Sequence, residues 1–474
     1  MLKIYICTNR SAQSLDPNPK PTNLQLRLFN RSNNHATDNH AVCNDGTSGG
    51  YYFSEAMSET LNNTYLIYLR GGGQCYDEFS CNQRWIESPS LMSSKFFSET
   101  IELSGIFDSN PVISPSFWGA KKFALAYCSS DGYIGDVSAA NATFGLHFRG
   151  QRLVFEFIRY LVSYHGMNSQ SKIFFAGGSA GARGVMALMD LLVAEHLPVG
   201  ARVVAFLDSP FYIDIAPYSA SFVGFAYQEQ QKFRLMNTRA AFSRECILQY
   251  PGEEGWKCQF GEYRMPFLQT PYFLIVSQDD SYQLYYNTGS VNPPYSSSDM
   301  ETYSASFAAR TQELVSELSD DHVTVRTEQT LLYGAIYINE CVVSIVNMFT
   351  VQSSTGYYSW ACYNHDVSIG SAYYKLTTSA TDSATGKSYD ISQRDALELY
   401  LKQDPYIIVT RSPTLLQSSL LLPLPAPAVM DLVAPAVEAV PDWNIPKSKK
   451  SLRWIDTCTG FMCGKGCGPH VANN

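Results

Sequence analysis

The stretch AGGSAGARG, residues 176–184, decides how the chain is read. It carries a Gly-x-Ser-x-Gly pattern in Gly177, Ser179 and Gly181. Before it, KIFFAGG (172–178) has the character of a buried strand. After it, AGARGVMALMDLLVAEHL (180–197) sets Val185, Leu188, Leu192 and Val193 at the spacing of one helix face. A serine on so tight a strand-to-helix turn has strained backbone angles, and neighbouring side chains would clash, so glycines flank it. A glycine-rich turn without chemistry fits the same letters equally well. Partners elsewhere in the chain must therefore decide.

Working outward, TYLIYLR (64–70), ARVVAFLD (201–208) and PYFLIVSQDD (271–280) are further apolar runs, each ending in small or polar residues. Buried strands alternating with helices predict an α/β fold around a mostly parallel sheet. In such sheets ligands sit beyond the carboxyl ends of the strands. The loops to search are then GGGQC, GGSAG, DSPF and QDDSYQ.

A nucleophilic serine of this kind is followed in the chain by an acid and then a histidine. Four of the eight histidines follow Ser179: His196, His322, His365 and His470. His196 is several turns along the helix that Ser179 opens, too far to reach back. His470 is in a cysteine-rich tail, and His322 sits at the polar entry of a strand, the wrong end for catalysis. Elimination leaves His365. The acid is Asp279 or Asp280, whose side chains leave an extended chain in opposite directions, and spacing alone does not choose. The amide of Ala180, following the nucleophile, is one oxyanion donor, and LRGGGQC (69–75) supplies a loop whose backbone can approach a carbonyl. A phosphate-cradling role for that loop is disfavoured because no Lys-Ser/Thr follows it.

Composition bounds the rest. Of 474 residues, 45% are hydrophobic and 16% charged, enough to build a sizeable core. The formal net charge of −9 argues against nucleic acid as a partner. Most of the twelve cysteines are scattered singly, which suits disulfides in an oxidising compartment. Sequons at Asn9, Asn30, Asn62 and Asn141 agree weakly with secretion. MLKIYICTNR makes a poor signal peptide, and the reading adopted is that the natural start is missing. LLLPLPAPAVMDLVAPAVEAVP (420–441) has five prolines, Asp431 and Glu438, and reads as a Pro/Ala-rich linker rather than a transmembrane segment. The cysteines of CTGFMCGKGC read as a disulfide-tied tail, because no fourth ligand stands at zinc spacing. The expected organisation is an N-terminal extension (1–24), a catalytic domain (25–410), the linker (411–450) and the tail (451–474).

Several stretches in register resemble the pectin acetylesterase/Notum family of secreted serine esterases. They are CNDGTSGGYYF (43–53), YLRGGGQCYDEFSC (68–81), AYCSSDGYIGD (126–136), FRGQRLVFEFI (148–158), GGSAGARGVMALMD (177–190), LDSPFYID (207–214), DSYQL (280–284) and ACYNHDV (361–367). The resemblance spans roughly residues 25–370 and implies an α/β-hydrolase-like fold with a Ser-Asp-His triad. Carried over, the nucleophile is Ser179, the base His365 and the acid Asp280, which heads a D-x-x-Q pattern with Gln283. The oxyanion amides fall on Gly72, Gly73 and Ala180. The resemblance also implies disulfides Cys75–Cys81 and Cys43–Cys128. Cys246–Cys258 and Cys341–Cys362 are pairs suggested by proximity. Phe117, Trp118, Tyr133, Phe211 and Tyr212 are candidate pocket residues. Three positions depart from the family pattern: Arg70 where an acidic residue is usual, Ala182 with Arg183 after the nucleophile, and Gly73 where the Notum branch carries tryptophan.

The expected activity is ester hydrolysis through an acyl-enzyme, with no metal or cofactor, on an O-acetylated polysaccharide such as pectin. The alternatives are removal of a lipid acyl group from a secreted protein, or an inactive binding protein on a hydrolase scaffold.

Overall fold

The computed structural model describes residues 5–6, 18–29, 41–318, 335–338, 341–344, 355–365, 368–375, 377–381, 388–402, 404–410 and 452–455. An eleven-stranded sheet organises them. Its strands are β1 (Thr22–Leu28), β2 (Gly50–Ser54), β3 (Thr64–Leu69), β4 (Thr100–Leu103), β5 (Lys121–Leu125), β6 (Lys172–Gly178), β7 (Arg202–Asp208), β8 (Tyr272–Asp280), β9 (Thr355–Asn364), β10 (Ile407–Ile408) and β11 (Leu452–Ile455). The spatial order is β11-β9-β8-β7-β6-β3-β5-β2-β1-β4, with β10 antiparallel to β7. From β11 to β5 neighbouring strands run parallel. β2, β1 and β4 extend that edge antiparallel. The fold is therefore α/β-hydrolase-like, with a mixed sheet that is parallel where it matters for the site. β11 comes from the segment read as a tail, so four of its residues join the sheet.

Strand composition explains the layering. All six residues of β3 are buried, as a central parallel strand covered on both faces requires. Alternate side chains feed two cores: Tyr65, Ile67 and Leu69 enter one, and Leu66 and Tyr68 the other. β1 alternates buried and exposed positions at its start, as a half-covered antiparallel strand near the edge should. The helices are α1 (Glu78–Glu87), α2 (Gly150–His165), α3 (Ala180–Leu191), α4 (Phe225–Leu235), α5 (Ser281–Asn287) and α6 (Ser298–Glu317); α2, α3, α5 and α6 feed the first core, whereas α1 and α4 bury Cys81 and Phe225 in two smaller clusters. α7 (Gln393–Leu401) closes the second core with Leu397 and Tyr400. α2 buries Leu153, Val154, Phe157, Ile158 and Leu161, and stops at Gly166 in the left-handed conformation. α3 is shorter than its periodicity predicts. It widens at Leu192–His196, where the Leu197 N–H reaches back to the Leu192 carbonyl, and His196 stacks on Phe155.

Three disulfides tie the described residues: Cys43–Cys128, Cys75–Cys81 and Cys246–Cys258. The side chains of Cys341 and Cys362, with Cys7, His322, the linker and the tail cysteines, lie outside the described residues. The sequon residues Asn62 and Asn141 are exposed. Among the described residues no helix is long and apolar enough to cross a membrane.

Candidate active site

The chain switches direction across the sheet between β3 and β6: β5 packs on one side of β3, and β6, β7, β8 and β9 follow on the other. Crevices form at such a point beyond the carboxyl ends of the strands. The loop Gly71–Gly73 leaves β3 there, and Ser179 leaves β6 beside it. Register fixes the pairing, since Leu69 lies opposite Gly177.

Ser179 has φ 52° and ψ −122°, strained for a residue with a side chain. The flanking glycines are sterically required. A Cβ on Gly177 would stand 2.5 Å from the Gly181 carbonyl carbon, and one on Gly181 only 1.9 Å from the Leu69 carbonyl oxygen. Ala182, where the family pattern has glycine, is fully buried in α3. The Ser179 N–H donates to the Asp208 carbonyl at 2.8 Å, which locks the turn onto β7.

The structure brings three sequence-predicted residues together. His365 Nε2 is 2.6 Å from Ser179 Oγ, and His365 Nδ1 is 2.8 Å from Asp280 Oδ2. Asp280 Oδ1 accepts the Gln283 amide at 2.9 Å, so both carboxylate oxygens are committed. Asp279 is turned away, near Tyr295. His365 follows Asn364, which pairs with Asp280 across the ladder. That register depends on one extra residue in β9 between Trp360 and Tyr363. Without this bulge the histidine would arrive one residue out of step, and a one-residue slip reverses side-chain faces.

The amides of Gly72, Gly73 and Ala180 have no acceptor among the described residues. Gly72 and Gly73 have φ 147° and 66°. Tyr127 fixes this loop: its hydroxyl donates to the Gly73 carbonyl and accepts the Gly132 amide. Cys75–Cys81 ties the loop to α1, whose start is a capping box between Asp77 and Ser80.

The five aromatic pocket candidates divide. Tyr212 lies nearly parallel to the His365 ring, centroids 6.3 Å apart. Tyr133 donates its hydroxyl to the Arg70 carbonyl, so it supports the glycine loop rather than lining a pocket. Phe211 packs on Gly261 in the core. Phe117 and Trp118 are corrected: they precede β5 and so lie at the opposite end of the sheet. At about 3.3 Å per residue a five-residue strand separates them from the site by roughly 17 Å. Phe117 instead packs against Phe174 within the second core.

Four further elements shape the site, of which only Gln283 was marked in the sequence, by the D-x-x-Q pattern. Tyr282 lies nearly parallel to His365 at 5.3 Å, and its hydroxyl would be 2.9 Å from a Cβ on Gly73. Gln283 accepts the Ile213 amide and donates to the Ile213 carbonyl, tying the loop after β7 to α5. Asp208 accepts the Ser368 amide at 2.7 Å and the Ser209 hydroxyl at 2.9 Å, and so pins the turn that follows His365. Burial raises the Asp208 pKa despite these bonds.

The fourth is a buried charge cluster against α3. Arg183 donates to Gln74 and pairs with Glu229, with its guanidinium 5.1 Å above the Tyr212 ring. Lys232 pairs with the same carboxylate at 2.9 Å and donates to Gln74 at 2.8 Å. Although burial opposes it, the two cations hold Glu229 down at about 2. Burial, then the Arg183 charge, pushes Lys232 down to about 7. The charge of Arg183 is thus spent on structure. Gln74 follows the glycine loop directly and was visible. Glu229 and Lys232 sit in EQQK, a polar run that no motif marks. Among the described residues no three His, Cys, Asp or Glu side chains converge as metal ligands.

The comparisons with known proteins agree with this architecture. The pectinacetylesterase family profile matches residues 31–398. The palmitoleoyl-protein carboxylesterase notum1 of Xenopus laevis is 30% identical over 266 residues, which is 54% of each chain. The human palmitoleoyl-protein carboxylesterase NOTUM is 29% identical over 281 residues, 58% of this chain and 55% of that one. The chain thus spans about half the length of these curated relatives. The structure of the Wnt deacylase Notum from Drosophila superposes with a TM-score of 0.67 at 20% identity, covering 94% of this chain and 100% of that one, and so supports the fold. With most of its length matched, the chain belongs to the pectinacetylesterase family.

Proposed function

We propose that the protein is a serine carboxylesterase that removes O-acetyl groups from a polysaccharide. The observation that carries the reading is the unbroken Ser179–His365–Asp280 hydrogen-bond chain on a strained strand-to-helix turn. Ser179 Oγ attacks the ester carbonyl as His365 Nε2 takes its proton. Asp280 holds the imidazole with its proton on Nδ1 and stabilises the imidazolium. The amides of Gly72, Gly73 and Ala180 receive the developing oxyanion. His365 returns the proton to the leaving alkoxide, and water then attacks the acyl-serine by the same route. Ser179→Ala is expected to abolish p-nitrophenyl acetate hydrolysis and fluorophosphonate labelling while leaving the melting temperature intact. Full activity in that variant would end the proposal, and a wild type that neither hydrolyses nor labels would be an inactive binding protein.

A short acyl group is favoured because the Tyr282 hydroxyl occupies the space beside Gly73. The second reading, removal of a long acyl chain from a protein, is favoured by the relatives' names. A p-nitrophenyl ester series from acetate to octanoate separates the two, and a preference for octanoate would overturn the acetyl reading. The disulfides fit work in an oxidising, extracellular compartment.

A further inference from the structure

The oxyanion amides come from two separate segments. Gly72 and Gly73 belong to the loop after β3, and Ala180 opens α3. Their relative placement matters, because a shift of about 1 Å at a reacting centre can lose about 100-fold in rate. At the entry of the loop the strand ladder fixes it, with Leu69 opposite Gly177. Beyond that point come three consecutive glycines, 71–73, which have no side chains with which to hold one conformation. The loop needs a second tie at its exit.

Gln74 stands at that exit, and its side chain is buried. Both ends of its amide are used. Oε1 accepts from Arg183 Nη1 at 2.6 Å and from Lys232 Nζ at 2.8 Å. Nε2 donates to the Glu229 carboxylate. The reverse orientation would set an NH2 against two cations and a carbonyl oxygen against a carboxylate, so the amide has one way to sit. Arg183 lies on the first turn of α3, and its own N–H donates to the Ser179 carbonyl at 3.1 Å. The Gln74–Arg183 bond therefore joins the two segments that supply the oxyanion amides. The same guanidinium lies 5.1 Å over Tyr212, whose ring faces His365. Cys75 also holds the exit, through its disulfide to Cys81 and its N–H to the Ser130 carbonyl. Those ties lead to α1 and to the segment after β5 rather than to α3.

We propose that Gln74 is a positioning residue for the oxyanion amides, and that Arg183, Glu229 and Lys232 act through it. The inference rests on the esterase reading above. A buried polar network with its members satisfied specifies one geometry. Oxyanion donors meet charge that appears in the transition state, so loosening them falls on kcat and spares KM.

Steady-state hydrolysis of p-nitrophenyl acetate by the full chain tests it. Gln74→Met keeps the length of the side chain and leaves the ion pairs of Glu229 with Arg183 and Lys232 in place. It should lower kcat about 10- to 100-fold, with KM within about twofold. The midpoint of the pH profile of kcat should not move, since the triad is untouched. Leu397→Ala, which opens the second core, is the stability control and should leave kcat of the folded enzyme unchanged. A second pair of variants decides the matter if Gln74→Met does not fold. Gln74→Glu sets two carboxylates face to face and should lose kcat about tenfold or more. Combining Gln74→Glu with Glu229→Gln exchanges amide and carboxylate, keeps the charge of the cluster, and should restore kcat to within about threefold of the wild type. The proposal is overturned by Gln74→Met activity within about threefold of the wild type, by a loss carried in KM, by an equal kcat loss in Leu397→Ala, or by a double variant no better than Gln74→Glu. A wild type that does not hydrolyse the ester fails the esterase reading and this inference with it. An inactive Ser179→Ala beside a fully active Gln74→Met fails this inference alone.

Discussion

Asp280→Asn is the most informative single change at the triad, because the surroundings dictate how the new amide must sit. Asp280 Oδ1 accepts the Gln283 N–H, and Oδ2 faces His365 Nδ1. An asparagine can satisfy Gln283 only by turning its carbonyl oxygen that way. Its NH2 then points at His365 Nδ1, which must accept, so the imidazole proton moves to Nε2. That nitrogen is the one 2.6 Å from Ser179 Oγ, and it can no longer take the serine proton. The loss expected from a wrong tautomer is about 10⁴-fold in kcat, or about 5.5 kcal/mol of barrier. The escape is to flip the amide, which leaves the Gln283 N–H facing an NH2. An unsatisfied buried donor costs about 1–3 kcal/mol, so the productive form would be about 5- to 150-fold depleted. The expected loss therefore lies between these bounds, with the melting temperature little changed. The assay is kcat/KM for p-nitrophenyl acetate across pH, with Asp279→Asn as the control. The control removes an equally buried carboxylate on the other side of the strand and should leave the pH profile unaltered. Asp280→Asn activity within threefold of the wild type, or an equal loss in the control, would refute the reasoning.

Other expectations concern the supports of the site. Gly181→Ala should fail to give soluble, folded protein, because its Cβ would lie 1.9 Å from the Leu69 carbonyl oxygen; a normal circular dichroism melt would contradict this. Glu229→Ala should cost about 3–5 kcal/mol in denaturant unfolding, since it strands two buried cations, whereas Lys232→Met should be far milder because Arg183 and Glu229 still balance. The folded-state pKa of Lys232 is below its unfolded value, so the unfolded chain binds the extra proton and stability rises from about pH 7 towards pH 10.5. Lys232→Met should flatten that rise in melts taken across this range. Asp208→Ala should lower kcat by roughly 10- to 100-fold with little change in KM, because it frees the turn that aims His365; a KM effect alone would assign Asp208 to binding.

How much of this was legible in the chain follows from range. KIFFAGG, ARVVAFLD and PYFLIVSQDD gave strands within a residue of Lys172–Gly178, Arg202–Asp208 and Tyr272–Asp280. Continuous apolar runs ending in turn residues are local signals, and a parallel sheet buried on both faces leaves few other readings. The turn at Ser179 was legible for the same reason, since the glycines answer clashes within a few residues and with the adjoining strand. Order along the chain and elimination then led to His365.

What the chain could not state alone was decided across the sheet. Residue spacing left Asp279 and Asp280 tied. In the folded chain only Asp280 faces His365, because the β9 bulge sets which residue stands opposite it. Phe117 and Trp118 sit close in sequence to site motifs yet belong to the other end of β5, since the direction of a strand in the sheet is not written in its composition. Glu229 and Lys232 lie in a polar run that no motif marks, yet they are fully buried. Their cost is offset by Arg183 and Gln74, which arrive from 46 and 155 residues away. The sequence by itself determined the strands, the strand-to-helix turn at Ser179 and the family. The tertiary structure decided which acid, which aromatics and which charges meet Ser179, because those choices depend on register and burial between segments that no local pattern connects.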